Sequence, residues 1–210
     1  MSSGRSRRSS ATRSYPKGVA RRAEILEAAL RVFSRRGKRQ STLTEIAAEA
    51  GLSQTGLMHY FDSKNELLTA VLRERDVRAY AANNRPDAVL SLIDAVRNNQ
   101  GIPGLALLYV TLAIDAIDPE HEAHEFFMSH YALLADQIHT DLQQAQRDGL
   151  VRTDVTADVL ARLMIAAADG LQLRYLFDAG VDMAADLDIL HQLMRAPAGT
   201  RPDGSVTAYY

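Results

Sequence analysis

The sequence predicts an all-α protein, with a three-helix N-terminal unit joined to a larger helical body. Three observations carry that expectation. Apolar residues recur at three- and four-residue intervals through most of the chain, no alternating strand pattern of useful length occurs, and three helix starts fall within the 22 residues Thr42 to Ser63.

In chain order, residues 1–17 are rich in Ser and Arg and read as a disordered arm, whose Arg5, Arg7, Arg8, Arg13 and Lys17 can lie along phosphates or in a minor groove. A first helix over 18–36 places Ile25, Leu26, Ala29, Leu30 and Phe33 on one face and stops at Gly37. Thr42 and Glu45, three apart before an apolar run, form a capping box for a second helix. Ala47 is small where two helices must approach, and Gly51 can take the positive φ of a helix C-terminus. Ser53 starts a third helix and Leu57 closes the small core; together these residues complete a unit spanning 18–62. Ser63 and Glu66 repeat the capping device at the head of a helix from 63 to about 82, with Leu67, Leu68, Val71 and Leu72 facing inward.

Beyond Pro86 the period stays helical, with stretches near 86–98, 103–116, 119–148, 154–178 and 183–195, which together with the helix from 63 make a body spanning 63–196. Pro119 after Asp118 reads as a first-turn and cap pair, while Gly149, Gly170 and Gly180 mark helix ends or close approaches. Residues 197–210, with Pro197, Gly199, Pro202 and Gly204, read as a flexible tail.

Residues 42–66 therefore spell two short helices and a tight turn, the second helix able to enter a DNA major groove. The same offsets occur in helical hairpins that bind nothing, so charge has to decide. Residues 1–40 hold 12 Arg and Lys against Glu24 and Glu27, net +10, whereas residues 41–210 hold 12 basic and 24 acidic side chains, net −12. A basic end on an acidic body is attracted to a phosphate backbone at the first and repelled at the second.

From Arg22 to Leu72 the chain resembles the TetR-type transcriptional repressors of bacteria. The pattern is Arg22, Ile25-Leu26, Ala29, Phe33, Gly37, Thr42, Ile46-Ala47, Ala50-Gly51-Leu52-Ser53, Gly56, His59-Tyr60-Phe61, Lys64 and Leu67-Leu68. Met58 departs from it, since the family usually has tyrosine there, which puts one phosphate or base-edge contact in doubt. The remaining residues resemble the family only in length and helical character.

The DNA-binding set is Thr42, Thr44, Ser53, Gln54, Thr55, His59, Tyr60 and Lys64, with Gln54, Thr55, His59 and Tyr60 meeting base edges or adjacent phosphates and Thr42, Thr44 and Lys64 gripping the backbone. The resemblance implies a body that holds a small effector. Leu108, Tyr109, Leu112, Phe127, Tyr131, Met164, Gln172 and Tyr175 are the expected walls, although side chains at such spacing also make ordinary core. It also implies a homodimer through the last helix pair, by way of Leu160, Leu163, Ala167, Leu171, Leu187, Leu190 and Met194, or else these residues close the monomer core. A two-fold dimer presents two reading helices about 34 Å apart on double-stranded operator DNA. In that scheme the unliganded dimer blocks transcription and the effector favours a state with wrongly spaced reading helices.

Other classes are poorly supported. The chain has no Cys, so there is no disulfide framework or thiolate metal site, and no cofactor is expected. Apolar runs at 105–114 and 163–168 are far short of the roughly 20 residues a bilayer requires, and no apolar region backs the basic N-terminus as a secretory signal would. A cytoplasmic protein without membrane partners is expected. His121-Glu122-Ala123-His124-Glu125 sets its histidines three apart rather than the four of a zinc-protease helix; with His130 they allow a metal, but solvated or structural histidines are the expectation. Phosphate-loop and G-x-S-x-G signatures are missing, so catalysis is not expected. The reading from a different class is a helical interaction protein whose basic arm binds nucleic acid without sequence preference.

Overall fold

The computed structural model describes residues 14–82 and 87–196, and among them every regular element is helical. The helices are α1 (Ser14–Gln40), α2 (Leu43–Glu49), α3 (Gln54–Met58), α4 (Lys64–Ala82), α5 (Ala88–Gln100), α6 (Leu105–Asp115), α7 (His124–Arg147), α8 (Ala157–Phe177) and α9 (Met183–Leu193). The expected arm at 1–17 lies outside the described residues up to position 13, and from Ser14 onward the chain is already helical. The expected tail at 197–210 also lies outside them.

Local signals set the helix boundaries. Gly37 breaks α1 with φ 68° and ψ 178°, a backbone that residues with a Cβ avoid. Side-chain caps stand where the sequence placed them: the Thr42 hydroxyl accepts from Glu45 N at 3.2 Å, Ser53 from Gly56 N at 3.0 Å and Ser63 from Glu66 N at 2.9 Å. Glu45 completes the first box at Thr42 N, whereas Glu66 reaches one residue further back, to Asp62 N. Asp87, Thr156 and Asp182 cap α5, α8 and α9 in the same way.

The helix expected from 119 begins only at His124. Residues 116–123 form a run of single turns, in which the Asp118 carboxylate accepts from Glu120 N and so spends its capping capacity before the helix proper. Gly170 ends nothing: it sits in the middle of α8 with open space where a Cβ would be.

Two apolar clusters fill the interior. The first joins α1 to α4 and continues without interruption through Leu105, Leu108 and Leu112 of α6 to Phe126 and Phe127 of α7. The second lies among α5, α8, α9 and the C-terminal half of α7. The boundary expected at 62 is therefore no gap in packing. Leu67 to Leu72 of α4 are six successive buried residues, so this helix is enclosed on all sides where unit and body meet. At the start of α6, Gly104 has φ 79° and presses against Ser34 of α1. At its other end, in the loop before α7, the Glu122 carboxylate accepts a hydrogen bond from the Ser63 hydroxyl at the head of α4. α6 is thus tied to α1 at its start and, through the loop that follows it, to the head of α4.

Candidate nucleic-acid interface and effector cavity

The turn between α2 and α3 is built from backbone bonds that require Gly51. With φ at 66°, Gly51 donates to the Ala48 carbonyl at 3.0 Å and Leu52 N to the Ala47 carbonyl at 2.8 Å, a Schellman closure of α2. Arg21 of α1 locks the turn from outside, its guanidinium donating to the Ala50 carbonyl at 2.7 Å. Beside it Arg22 stacks 4.2 Å from the Phe61 ring centre and donates to the Tyr60 carbonyl. Arg31 and Arg35 pair with Glu49 at 2.9 and 2.6 Å, and their hydrogen bonds hold its carboxyl below the usual carboxylate range. A good part of the basic N-terminal charge is thus committed to fixing α2 and its turn against α1.

The structure brings the expected reading residues to one exposed end. Thr42, Thr44, Ser53, Gln54, Thr55, Met58 and His59 are all exposed. Thr44 Oγ1 donates to Gln54 Oε1 at 2.8 Å, so the two helices are tied through residues expected to face DNA. Tyr60 is only half exposed and packs against the first core, and Lys64 donates to the Ser41 carbonyl at 2.9 Å, bracing the head of α4. Ser53 serves as the α3 cap, which leaves it a scaffold role beside any contact.

The body holds a cavity of about 460 Å3 between α4, α5, α6, α7 and α8. Of the expected walls, Tyr109 and Gln172 line it. Leu108, Leu112, Phe127 and Met164 do not: they are buried in the two cores, one helix face away. Tyr175 instead donates to the Gln100 carbonyl at 3.2 Å, joining α8 to α5. Tyr131 stands behind the wall and takes part through its hydroxyl.

The charged groups on the polar side of the cavity were not anticipated. Tyr109 and Tyr131 donate to the two oxygens of Asp169 at 3.0 and 2.8 Å, and the two phenol oxygens lie 3.1 Å apart. Burial pushes the Asp169 carboxyl up, against the phenol hydrogen bonds that hold it down. Burial likewise raises both phenols, Tyr131 to about 12, with the Asp169 charge adding to it.

Next to this cluster Arg75 grips Asp76 at 2.6 Å and stacks 4.9 Å from the Tyr109 ring centre. His130 Nδ1 reaches the other Asp76 oxygen at 3.0 Å. Burial raises Asp76, but the His130 hydrogen bond and the Arg75 charge outweigh it and leave the carboxyl below its ordinary range. Arg75, Asp76, Asp169 and the neighbouring acids Asp136 and Asp141 all line the cavity. One signal for this wall was legible: Asp169 is a lone acid in the apolar run of α8.

Each histidine considered for a metal has one ring nitrogen engaged within the protein, while His121 Nε2 is buried without a hydrogen-bond partner. His121 Nδ1 accepts from Ala123 N, His124 Nδ1 donates to the Ala116 carbonyl at 2.8 Å, and His130 serves Asp76. Among the described residues no helix is long and apolar enough to cross a membrane.

On the last two helices the expected interface residues divide. Leu160, Leu187 and Met194 are buried in the second core and close the monomer, while Ala167, Leu171 and Leu190 are half-buried at its edge. Leu163 is 52% exposed and continues along α8 to Phe177 at 82%, beside Ile189 at 56% and Leu193 at 66% on α9.

Comparison with known proteins agrees with this architecture. Residues 25–71 match the family model described as bacterial regulatory proteins, tetR family. The chain is 25% identical over 182 residues to the HTH-type transcriptional repressor AcnR of Corynebacterium efficiens, covering 86% of this chain and 96% of that protein. It is 29% identical over 194 residues to the HTH-type transcriptional regulator BetI of Rhizobium meliloti, covering 88% and 92%. Among solved structures it is similar to a transcriptional regulator from Saccharomonospora viridis in complex with choline, at a TM-score of 0.66 and 24% identity over 85% of this chain and 99% of that one. The relatives are regulators rather than enzymes. With its capped helix pair, its exposed α3 and these likenesses, the chain carries a tetR-family DNA-binding unit over residues 25–71 and is a DNA-binding transcriptional regulator.

Proposed function

We propose that the protein is a homodimeric repressor that grips operator DNA through α3 and leaves it when a small molecule fills the body cavity. One observation carries this reading. Arg75, Asp76 and Ala79 of the cavity wall belong to α4, whose first residues pack into the DNA-reading unit, so ligand and reading head share one helix. A ligand that fits the cavity better in one position of α4 than in another shifts the spacing of the heads by its difference in affinity. The Saccharomonospora viridis protein was solved in complex with choline, so a protein of this fold takes a small molecule.

Gln54, Thr55 and His59 reach base edges, while Thr42, Thr44, Tyr60 and Lys64 hold the backbone and set the register. The second copy docks on the apolar stripe from Leu163 to Phe177 and on Ile189 and Leu193. Gly170 lies on that stripe with open space in front of it, where a facing helix can come close.

The test is binding of the full chain to duplex from beside its own gene and to random duplex at equal salt. The proposal expects a preference of about a thousandfold or more, in the range of specific over non-specific binding. Equal affinity for both duplexes, or a monomer on the operator, overturns it.

A further inference from the structure

We infer that the cavity is built for an amphipathic organic cation, an amine or quaternary ammonium with an apolar body, and that Asp169 is its counter-ion. The inference rests on the effector-released reading above and narrows it to a ligand class.

Two phenol hydrogen bonds favour the anionic form of Asp169, against the burial that disfavours it. Each phenol has a single proton to give, and Tyr109 and Tyr131 stand at 3.0 and 2.8 Å from different carboxylate oxygens. Among the described residues no Arg, Lys or His forms an ion pair with it. Arg75, the permanent cation of the cavity wall, spends its guanidinium on Asp76 and on the Tyr109 ring. His130 is likewise turned to Asp76.

Two further carboxylates, Asp136 and Asp141, line the same cavity, so its acidic groups outnumber its basic ones even after the Arg75 and Asp76 pair is set aside. Asp141 caps the backbone of Ala88 at 2.6 Å, which satisfies one oxygen without supplying positive charge. Arg75 and His130 act on Asp169 only through space, and a partly buried carboxylate without a direct ion pair is costly, so a ligand that brings one recovers part of that cost on binding. The apolar part of the lining, with Leu92, Val96, Leu105, Leu134, Ile165 and Met183, suits a hydrocarbon or aryl body.

The experiment is calorimetric titration of the full chain with three probes of one shape: 4-phenylbutylamine, which is cationic at neutral pH, 4-phenylbutanol and 4-phenylbutyrate. The amine is expected to bind at least about tenfold tighter than the alcohol, and the carboxylate more weakly than either. In the Asp169→Asn variant the amine should fall to the affinity of the alcohol, while the alcohol stays unchanged.

An alcohol that equals the amine, a carboxylate that binds best at the Arg75 flank, or no binding of any probe to the native chain overturns the cation site. Because the comparison among probes is made on the unaltered protein, a variant that fails to fold does not remove the test. Operator binding is measured on the same preparation without probe. Loss of the cation preference with operator binding intact condemns the ligand class alone, whereas absent operator binding condemns the regulator reading and leaves the titration to judge the cavity.

Discussion

Gly104 lies so close to Ser34 that a Cβ at position 104 would sit 2.7 Å from the Ser34 Cα. The cap of α6 and the last turns of α1 are therefore in contact through the Ser34 backbone and its Cβ, neither of which a change of rotamer can move away. Gly104→Ala should cost about 1–2 kcal/mol for the positive φ, before any cost of overlap. Denaturant unfolding will measure the loss, and operator affinity should fall with it because α1 is displaced. A variant as stable as the native chain would show that this contact can open freely.

Gln54 is both a candidate base reader and the partner of Thr44 across the turn. Gln54→Ala should change the ranking of operators, by about 1–3 kcal/mol at the base pair it contacts, as seen in competition binding across single-base variants. A uniform loss on every duplex would instead mark it as part of the scaffold.

On α3, Ser53→Ala removes the hydroxyl that accepts from Gly56 N. The expected cost is about 1 kcal/mol of stability, measurable by chemical denaturation, with weaker DNA binding following from a frayed reading helix. Ser53→Asp should recover the stability, since a carboxylate caps as well, but it places negative charge beside phosphates and should leave DNA affinity low.

Asp76 ties α4 to His130 of α7 and is held below the ordinary carboxylate range. A carboxyl with a lowered folded value contributes its stability fully above the unfolded value, near about pH 4, and loses it as pH falls through the folded value. The stability gap between the native chain and Asp76→Asn should therefore be widest above about pH 5 and close toward about pH 3. A gap that widens as acid is added would contradict the assigned direction.

Leu163 and Leu187 separate the two roles of the last helix pair. Leu163→Asp, on the exposed stripe, should turn the dimer into a folded monomer by sedimentation and abolish tight operator binding. Leu187→Ala, fully buried, should cost about 2–5 kcal/mol of unfolding free energy. If Leu163→Asp stayed dimeric, the interface would lie elsewhere.

How much of this was legible from sequence follows the range of the interactions. The reading unit was, because caps such as Thr42 and Ser53 and the left-handed Gly51 act within a few residues. The cavity was not. Which face of a helix looks inward depends on its neighbours, and Leu108 or Met164 turn into core while Asp169, among apolar residues of α8, turns to the cavity. Arg75 and Asp76 sit in a charged stretch of α4 that reads as solvated until α7 is brought across it with His130. The interface residues were mixed for the same reason. Leu160 and Leu163 are three apart, yet one is buried and the other exposed.

The six enclosed residues Leu67 to Leu72 have a mechanical implication. A rod gripped around its whole circumference cannot roll to present another face without driving side chains into its surroundings, and dense interiors resist such gradual deformation. What remains open to α4 is tilting or sliding in company with the helices that clasp it. Release from the operator should then come as a switch between two seated positions, and partial occupancy of the cavity should yield a mixture of engaged and disengaged molecules rather than a population holding on half as well.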